Sequence, residues 1–236
     1  MHHIPKRVHV TWCDKQIWYN DLTMLKLGIH NLRRLNRDWE VCIWDDSEIR
    51  QYVKCHISEH DWHLLQNKHI VEVSDLWRLI LMFKEGGIYI DIDRLCNVEL
   101  DSLFSPKLRC FLPTYLDQDF SHDIMISTPE NPIYAKARDL NMSRRRDGCD
   151  NIYFLGPQTY MHAITECLTG NIINSSPDLS IFKQLRHTID QTDFLSTYRE
   201  DPPFNTLLQR GPKLGDWQAW KDEMYSHYKI KHWTES

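Results

Sequence analysis

The sequence predicts an α/β fold on three observations. Apolar residues switch repeatedly between a two-residue and a helical period along the chain. The switches alternate strand with helix, the order that builds a sheet covered by helices. The sharpest switch falls at Gly86-Gly87, where a helical stripe gives way at once to a strand ending in two aspartates.

The elements follow in order. Residues 7–12 alternate and predict the first strand. Residues 21–35 predict a helix, with Leu22, Leu25, Ile29 and Leu32 near helical spacing. Residues 39–44 predict a second strand, closing on Asp45-Asp46, and helices follow from Ser47 and over 58–67. Over 74–85, Leu76, Leu79, Ile80 and Phe83 recur at i, i+3, i+4 and i+7, one buried helical stripe. Gly86-Gly87 ends that helix as glycine does at a C-terminal cap. In residues 88–93 the isoleucines take one face, and Tyr89, Asp91 and Asp93 the other. Asp75 and Arg78 share a helix side away from the apolar stripe, which on its own predicts a surface ion pair.

The second half is less regular. Strands are predicted over 109–114 and 123–127, and helices over 132–142 and 158–168. Residues 143–150, with Arg144, Arg145 and Arg146, read as a solvated polar loop. No linker or repeat divides the chain, so the expectation is one domain over 1–236.

Composition narrows the function. Hydrophobic residues make up 42% and charged residues 26%, an ordinary globular balance. A net charge of −5, from 28 basic and 33 acidic residues, argues against a nucleic-acid binder. It leaves room for a phosphate-bearing ligand on a local basic patch. Seven scattered cysteines without a CxxC pair fit free thiols in a reducing compartment rather than a zinc ribbon. The first residues carry no signal-peptide pattern, and no apolar run approaches the roughly 20 residues of a membrane helix. The expectation is a cytoplasmic chain with no transmembrane segment, whose sequons at Asn141 and Asn174 go unused.

Asp91 and Asp93 carry the chemistry. Carboxylates at i and i+2 on a strand share a face, roughly 7 Å apart at Cα. Hard oxygen ligands so placed suit Mn²⁺ or Mg²⁺. Such an ion would neutralise a departing diphosphate. Alone, an Asp-x-Asp is ordinarily a solvated pair. Here it ends a strongly apolar strand, directly after Gly-Gly and a helix bearing Asp75 and Arg78.

With those residues in view, the chain resembles the DXD glycosyltransferases of family 32. That group includes fungal initiating mannosyltransferases and is distantly similar to the clostridial glucosylating toxins. The resemblance rests on Ser74-Asp75-Leu76-Trp77-Arg78 and on the run from Gly86 to Asp93. Ile4-Pro5-Lys6 through Trp12, Asp123-Ile124-Met125 through Pro132, Gly156-Pro157 with Thr159, and His227 with Trp233 are similar to further blocks of the family.

The resemblance implies a GT-A fold, a Rossmann-like single domain with a mostly parallel central sheet, and a retaining hexosyltransferase. Val10, Thr11 and Trp12 would line the base pocket. Asp75 and Arg78 would contact the donor. Asp91 would bind ribose or sugar and support the metal, Asp93 would ligate it, and His227 would complete the shell or grip the diphosphate. Trp233 would close over the donor, while Asp123, Gly156 and Pro157 would face the sugar and acceptor. A UDP-sugar is favoured, because stacking by Trp12 is similar to that in uridine-using relatives; a GDP-sugar is the alternative. The acceptor would be a glycan or polysaccharide, or another hydroxyl. Retention leaves two routes open, Asp123 as a nucleophile or front-face attack by the acceptor.

Other readings of the sequence fit less well. His56-Ile57-Ser58-Glu59-His60 matches an inverted zinc-protease motif, but 13 histidines make chance matches expected. A dehalogenase-like phosphatase also places Asp-x-Asp after an apolar strand, though near the chain start and followed by Thr or Gly; here Arg94 follows. A catalytically silent nucleotide-sugar-binding module would bind donor without turnover; the intact set of Asp75, Arg78, Asp91 and Asp93 argues against it.

Overall fold

The computed structural model describes residues 4–15, 23–92, 94–96, 99–103, 110–112, 114–115, 119–120, 122–169 and 208–210. In chain order these form β1 (Arg7–Thr11), α1 (Thr23–Leu35), β2 (Glu40–Trp44), α2 (Asp46–His56), α3 (Glu59–Leu65), α4 (Ile70–Lys84) and β3 (Gly87–Ile90). Then come β4 (Arg94–Cys96), a 3-10 turn (Leu100–Leu103), β5 (Cys110–Phe111), β6 (Thr114–Tyr115), β7 (Asp119–Phe120) and β8 (Ile124–Ser127). Helices α5 (Pro132–Arg146), α6 (Ile152–Leu155) and α7 (Pro157–Thr169) and strand β9 (Leu208–Arg210) complete the set.

The central sheet has the order β2-β1-β3-β8-β5. Strand β1 pairs in parallel with both β2 and β3, whereas β8 runs antiparallel to β3 and to β5. Four of the five strands therefore point the same way and β8 alone is reversed, the mostly parallel α/β sheet that the sequence predicts. Strands β4 and β9, and β6 and β7, form separate two-stranded pairs.

Alternation along the strands divides the core in two. Val8, Val10, Ile88, Ile90, Ile124 and Ile126 face one cluster with Ile29 and Leu32 of α1. Tyr89 and Met125 face the other, with α4, α5 and α7. The predicted partition of β3, isoleucines on one side and Tyr89 on the other, is the one observed.

Helix α4 departs from its prediction. It begins at Ile70 rather than residue 74, and every residue from Glu72 to Met82 is buried. A single apolar stripe led to one buried face, but α4 lies against the sheet and packs against both α2 and α5. Asp75 and Arg78 are consequently not a surface pair; they are 5% and 7% exposed. Glycine is required where α4 turns into β3. Gly86 and Gly87 have φ of +63° and +89°, and an added Cβ would stand 2.6 Å from the Pro129 nitrogen or 2.7 Å from the Arg7 carbonyl oxygen.

Two further expectations are corrected. The arginine run is not a solvated loop: α5 continues to Arg146, because each arginine finds a partner in the fold. Arg145 pairs with buried Glu72 at 2.9 Å, Arg146 forks onto Asp61 at 2.8 and 2.7 Å, and the Arg144 guanidinium stacks 3.8 Å from the Phe154 ring centroid. The predicted strand over 88–93 ends at Ile90. Its ladder runs out because the partner strand β8 starts opposite, at Ile124. The protease-like motif straddles the break between α2 and α3, so its histidines do not share one helix face. Among the described residues no helix is long and apolar enough to cross a membrane. Asn141, the acceptor of the first sequon, is fully buried.

Candidate functional site

The crossover from β1 leads to β2 on one side, and the chain then returns to place β3 on the other. Between β1 and β3 lies the topological switch point, and ligands of open α/β sheets bind at the carboxyl ends of strands there. The β1–β3 ladder stops at His9–Tyr89, so the strand ends, Thr11 on one and Asp91 just past the other, stand on either side of a parting. Asp91 keeps its backbone fixed by donating its N–H to the Asp123 carbonyl at 2.8 Å.

Four elements converge beside Asp91. From α4 comes Arg78, whose Nη2 donates to Asp75 Oδ1 at 3.1 Å. Its Nη1 is shared between Asp91 Oδ1 at 3.3 Å and the His122 carbonyl oxygen at 3.2 Å. The guanidinium lies 4.6 Å from the Tyr89 ring centroid, a cation–π distance. The Tyr89 hydroxyl donates to Asp91 Oδ1. His122, just before β8, sets its Nε2 3.8 Å from Asp75 Oδ1. The junction of α6 and α7 supplies Gly156, where a Cβ would stand 2.4 Å from Asp75 Oδ2. Pro157 opens α7, a position where its missing N–H costs nothing.

Electrostatically the cluster is tense. Burial pushes the Asp75 carboxyl up to about 6 despite the adjoining Arg78, with Asp91 adding to the rise. Burial would lower Arg78, but Tyr89, Asp91 and Asp75 together hold it above its ordinary value. Burial and the Arg78 cation hold His122 down to about 3, so its ring is neutral at neutral pH. Arg78 Nε is buried with no hydrogen-bond partner among the described residues.

The structure thus brings together Asp75, Arg78, Asp91, Asp123 and Gly156 of the residues predicted from sequence. Val10, Thr11 and Trp12 sit at the end of β1, with Trp12 packed in the α1-side core and only 8% exposed. Asp93, His227 and Trp233 lie outside the described residues. Among those described, no group of three or more His, Cys, Asp or Glu could hold a metal ion. Asp91 is the described member of the predicted ligand set, and it suits a hard cation. Its side chain is 34% exposed at the strand ends, and both of its described side-chain bonds fall on Oδ1. Sequence reasoning missed Tyr89 and His122 as members of the site. Tyr89 carried a signal, an aromatic on the same face two residues before Asp91; His122 had only its place beside Asp123.

Residues 24–108 match the family model described as "Glycosyltransferase sugar-binding region containing DXD motif". Over that stretch the chain is similar to the sugar-binding region of the DXD glycosyltransferases. It is 30% identical over 140 residues to mannosyl phosphorylinositol ceramide synthase SUR1 of Saccharomyces cerevisiae, covering 57% of this chain and 34% of that protein. It is 25% identical over 146 residues to inositol phosphoceramide mannosyltransferase 1 of Schizosaccharomyces pombe, covering 58% and 42%. The chain therefore spans between a third and a half of the length of these curated relatives. Among solved structures, the PaToxG glycosyltransferase superposes with a TM-score of 0.55 at 22% identity, over 91% of this chain and 88% of that one. The two chains share one α/β fold, as the sequence resemblance implied.

Proposed function

We propose that this chain is a retaining hexosyltransferase, organised as one catalytic domain over 1–236, that moves a sugar from a nucleotide-diphosphate sugar to a glycan or other hydroxyl acceptor. The observation that supports this best is Arg78, which is held between Asp75 and Asp91 at the switch point of a DXD sugar-binding region. Asp91, Asp93 and His227 would hold Mn²⁺ or Mg²⁺, which when bound supplies positive charge to the leaving diphosphate. Arg78 presents a fixed cation at the same place, already desolvated, so it needs little reorganisation as charge develops. Asp75 and Asp91 offer carboxylate oxygens to sugar or ribose hydroxyls. The end of β1, with Val10, Thr11 and Trp12, takes the base, and Asp123 with the Gly156-Pro157 corner and Trp233 faces the sugar and acceptor. Retention proceeds either through Asp123 as nucleophile or by front-face attack.

A UDP-sugar is the favoured donor. The two fungal relatives are named for mannosyl transfer onto inositol-containing ceramides, so GDP-mannose is the second donor to test. Six free cysteines among the described residues support a reducing, cytoplasmic setting.

The test is a thermal-shift panel of nucleotide sugars with and without Mn²⁺, because a ligand of the native state raises its apparent stability. We expect one donor to shift the wild type only with metal. Asp93→Ala should remain folded yet show neither shift nor turnover. Metal-dependent binding without donor hydrolysis or transfer would indicate a silent binding module. Wild-type activity in Asp93→Ala would remove the metal assignment.

A further inference from the structure

A run of buried polar contacts, closed by one steric contact, encircles the donor side of the site. It starts on α4 at Glu72, one turn before Asp75. Arg145 of α5 donates to Glu72 Oε2 at 2.9 Å and to the Glu72 carbonyl oxygen at 3.2 Å. The same guanidinium donates from Nε to Asn141 Oδ1 at 2.9 Å. Asn141 Nδ2 in turn donates to the Leu155 carbonyl oxygen at 2.7 Å. The next residue is Gly156, whose Cα side abuts Asp75 so closely that a Cβ would stand 2.4 Å from Oδ2. Asp75 is on α4 again, and the ring closes. Glu72, Arg145 and Asn141 are 7%, 6% and 0% exposed.

We infer that Asn141 is a positioning residue for the donor site: it fixes α6 so that Gly156 forms the wall against which the Asp75 carboxylate is set. Three facts favour this role over generic packing. Helix α6 is a single turn, too short to hold its place unaided. Its last carbonyls are each claimed from outside, Leu155 by Asn141 and Phe154 by Arg144 at 2.8 Å. Both polar atoms of the Asn141 amide are engaged, Oδ1 accepting from Arg145 while Nδ2 donates to α6, so no other side chain of similar size serves both partners.

The inference rests on the proposed donor reading, and it predicts a division within the site. The proposed base pocket at the end of β1 is packed in the α1-side core, away from the ring. Loosening α6 should therefore weaken the grip on the sugar and leave the nucleotide untouched. Asn141→Asp keeps the Arg145 partner but cannot donate to Leu155, and Asn141→Leu removes both bonds. Binding is measured by titration calorimetry, with Mn²⁺ and below the melting temperature of each variant, for UDP-glucose against UDP and GDP-mannose against GDP. The expected result in Asn141→Asp is a loss of about tenfold for the sugar nucleotide, the equivalent of one lost hydrogen bond, with the bare diphosphate within about twofold of wild type. Asn141→Leu should show the same split more strongly. If Asn141→Leu does not fold, Asn141→Asp alone decides. Equal loss for both ligands, or none for either, overturns the positioning role. If the wild type binds neither sugar nucleotide, the donor reading falls and this inference with it.

Discussion

Helix α4 carries two buried ion pairs one turn apart, and they differ in how completely each is satisfied. In the first, Glu72 meets Arg145, whose guanidinium has Asn141 as a further acceptor. In the second, Arg78 divides one Nη1 between Asp91 and His122, keeps Nη2 for Asp75, and leaves Nε buried without a hydrogen-bond partner among the described residues. The first pair locks α4 to α5. The second sits at the strand ends beside a one-third-exposed carboxylate, with Asp75 held far from its usual range. A fully matched buried pair is scaffold, whereas unmet capacity beside an opening is capacity for a ligand.

The largest effect expected from breaking this contrast is on the matched pair. Arg145→Met leaves Glu72 buried without its cation and should cost about 3–5 kcal/mol in urea denaturation. A loss below about 1 kcal/mol would mean that Glu72 finds water or another partner, and the contrast would fail.

The strained pair should answer in the opposite sense. The folded value of Asp75, about 6, lies above its ordinary 3.8, so the folded chain keeps a proton that the unfolded chain has released. Stability from this group is therefore greatest below the ordinary value and falls as pH rises toward 6, the reverse of a well-paired carboxylate. The cost above that window is on the order of 2–3 kcal/mol. Asp75→Asn should melt higher than wild type near about pH 8, converge with it near about pH 3.5, and lose sugar-nucleotide binding throughout. Parallel melting curves across that range would show that Asp75 is not strained.

An exposed pair supplies the baseline. Arg7 and Glu40 stand 2.8 Å apart with side chains 46% and 61% exposed. Glu40→Gln should change stability by less than about 1 kcal/mol, and added salt should erase the difference.

The same contrast explains what the sequence revealed. The Gly86-Gly87 switch, the isoleucine face of β3 and the grouping of Asp75, Arg78 and Asp91 were all legible, because periodicity and local spacing encode them. The burial of the Asp75–Arg78 pair was not. Polar residues on a helix read as surface unless a second layer is known to cover them, and α2 and α5 supply that layer from far along the chain. The arginines of α5 were misread for the same reason: their partners Glu72 and Asp61 lie 73 and 85 residues away. Pattern reports what a segment prefers; the long-range polar matches become visible only when the helices are laid side by side.

The lone reversed strand has a consequence of its own. Parallel strands deliver their carboxyl ends to the crevice, so the chain reaches the site as each strand finishes. Strand β8 does the contrary: the chain enters the site at His122 and Asp123 and only then dives into the core. The Asp91 amide is clipped to that entry point, while Ile124 to Ile126 anchor it from behind. On the proposed reading, a change of the His122 side chain can thus alter what approaches Asp91 without shifting the ladder that sets Asp91 in place.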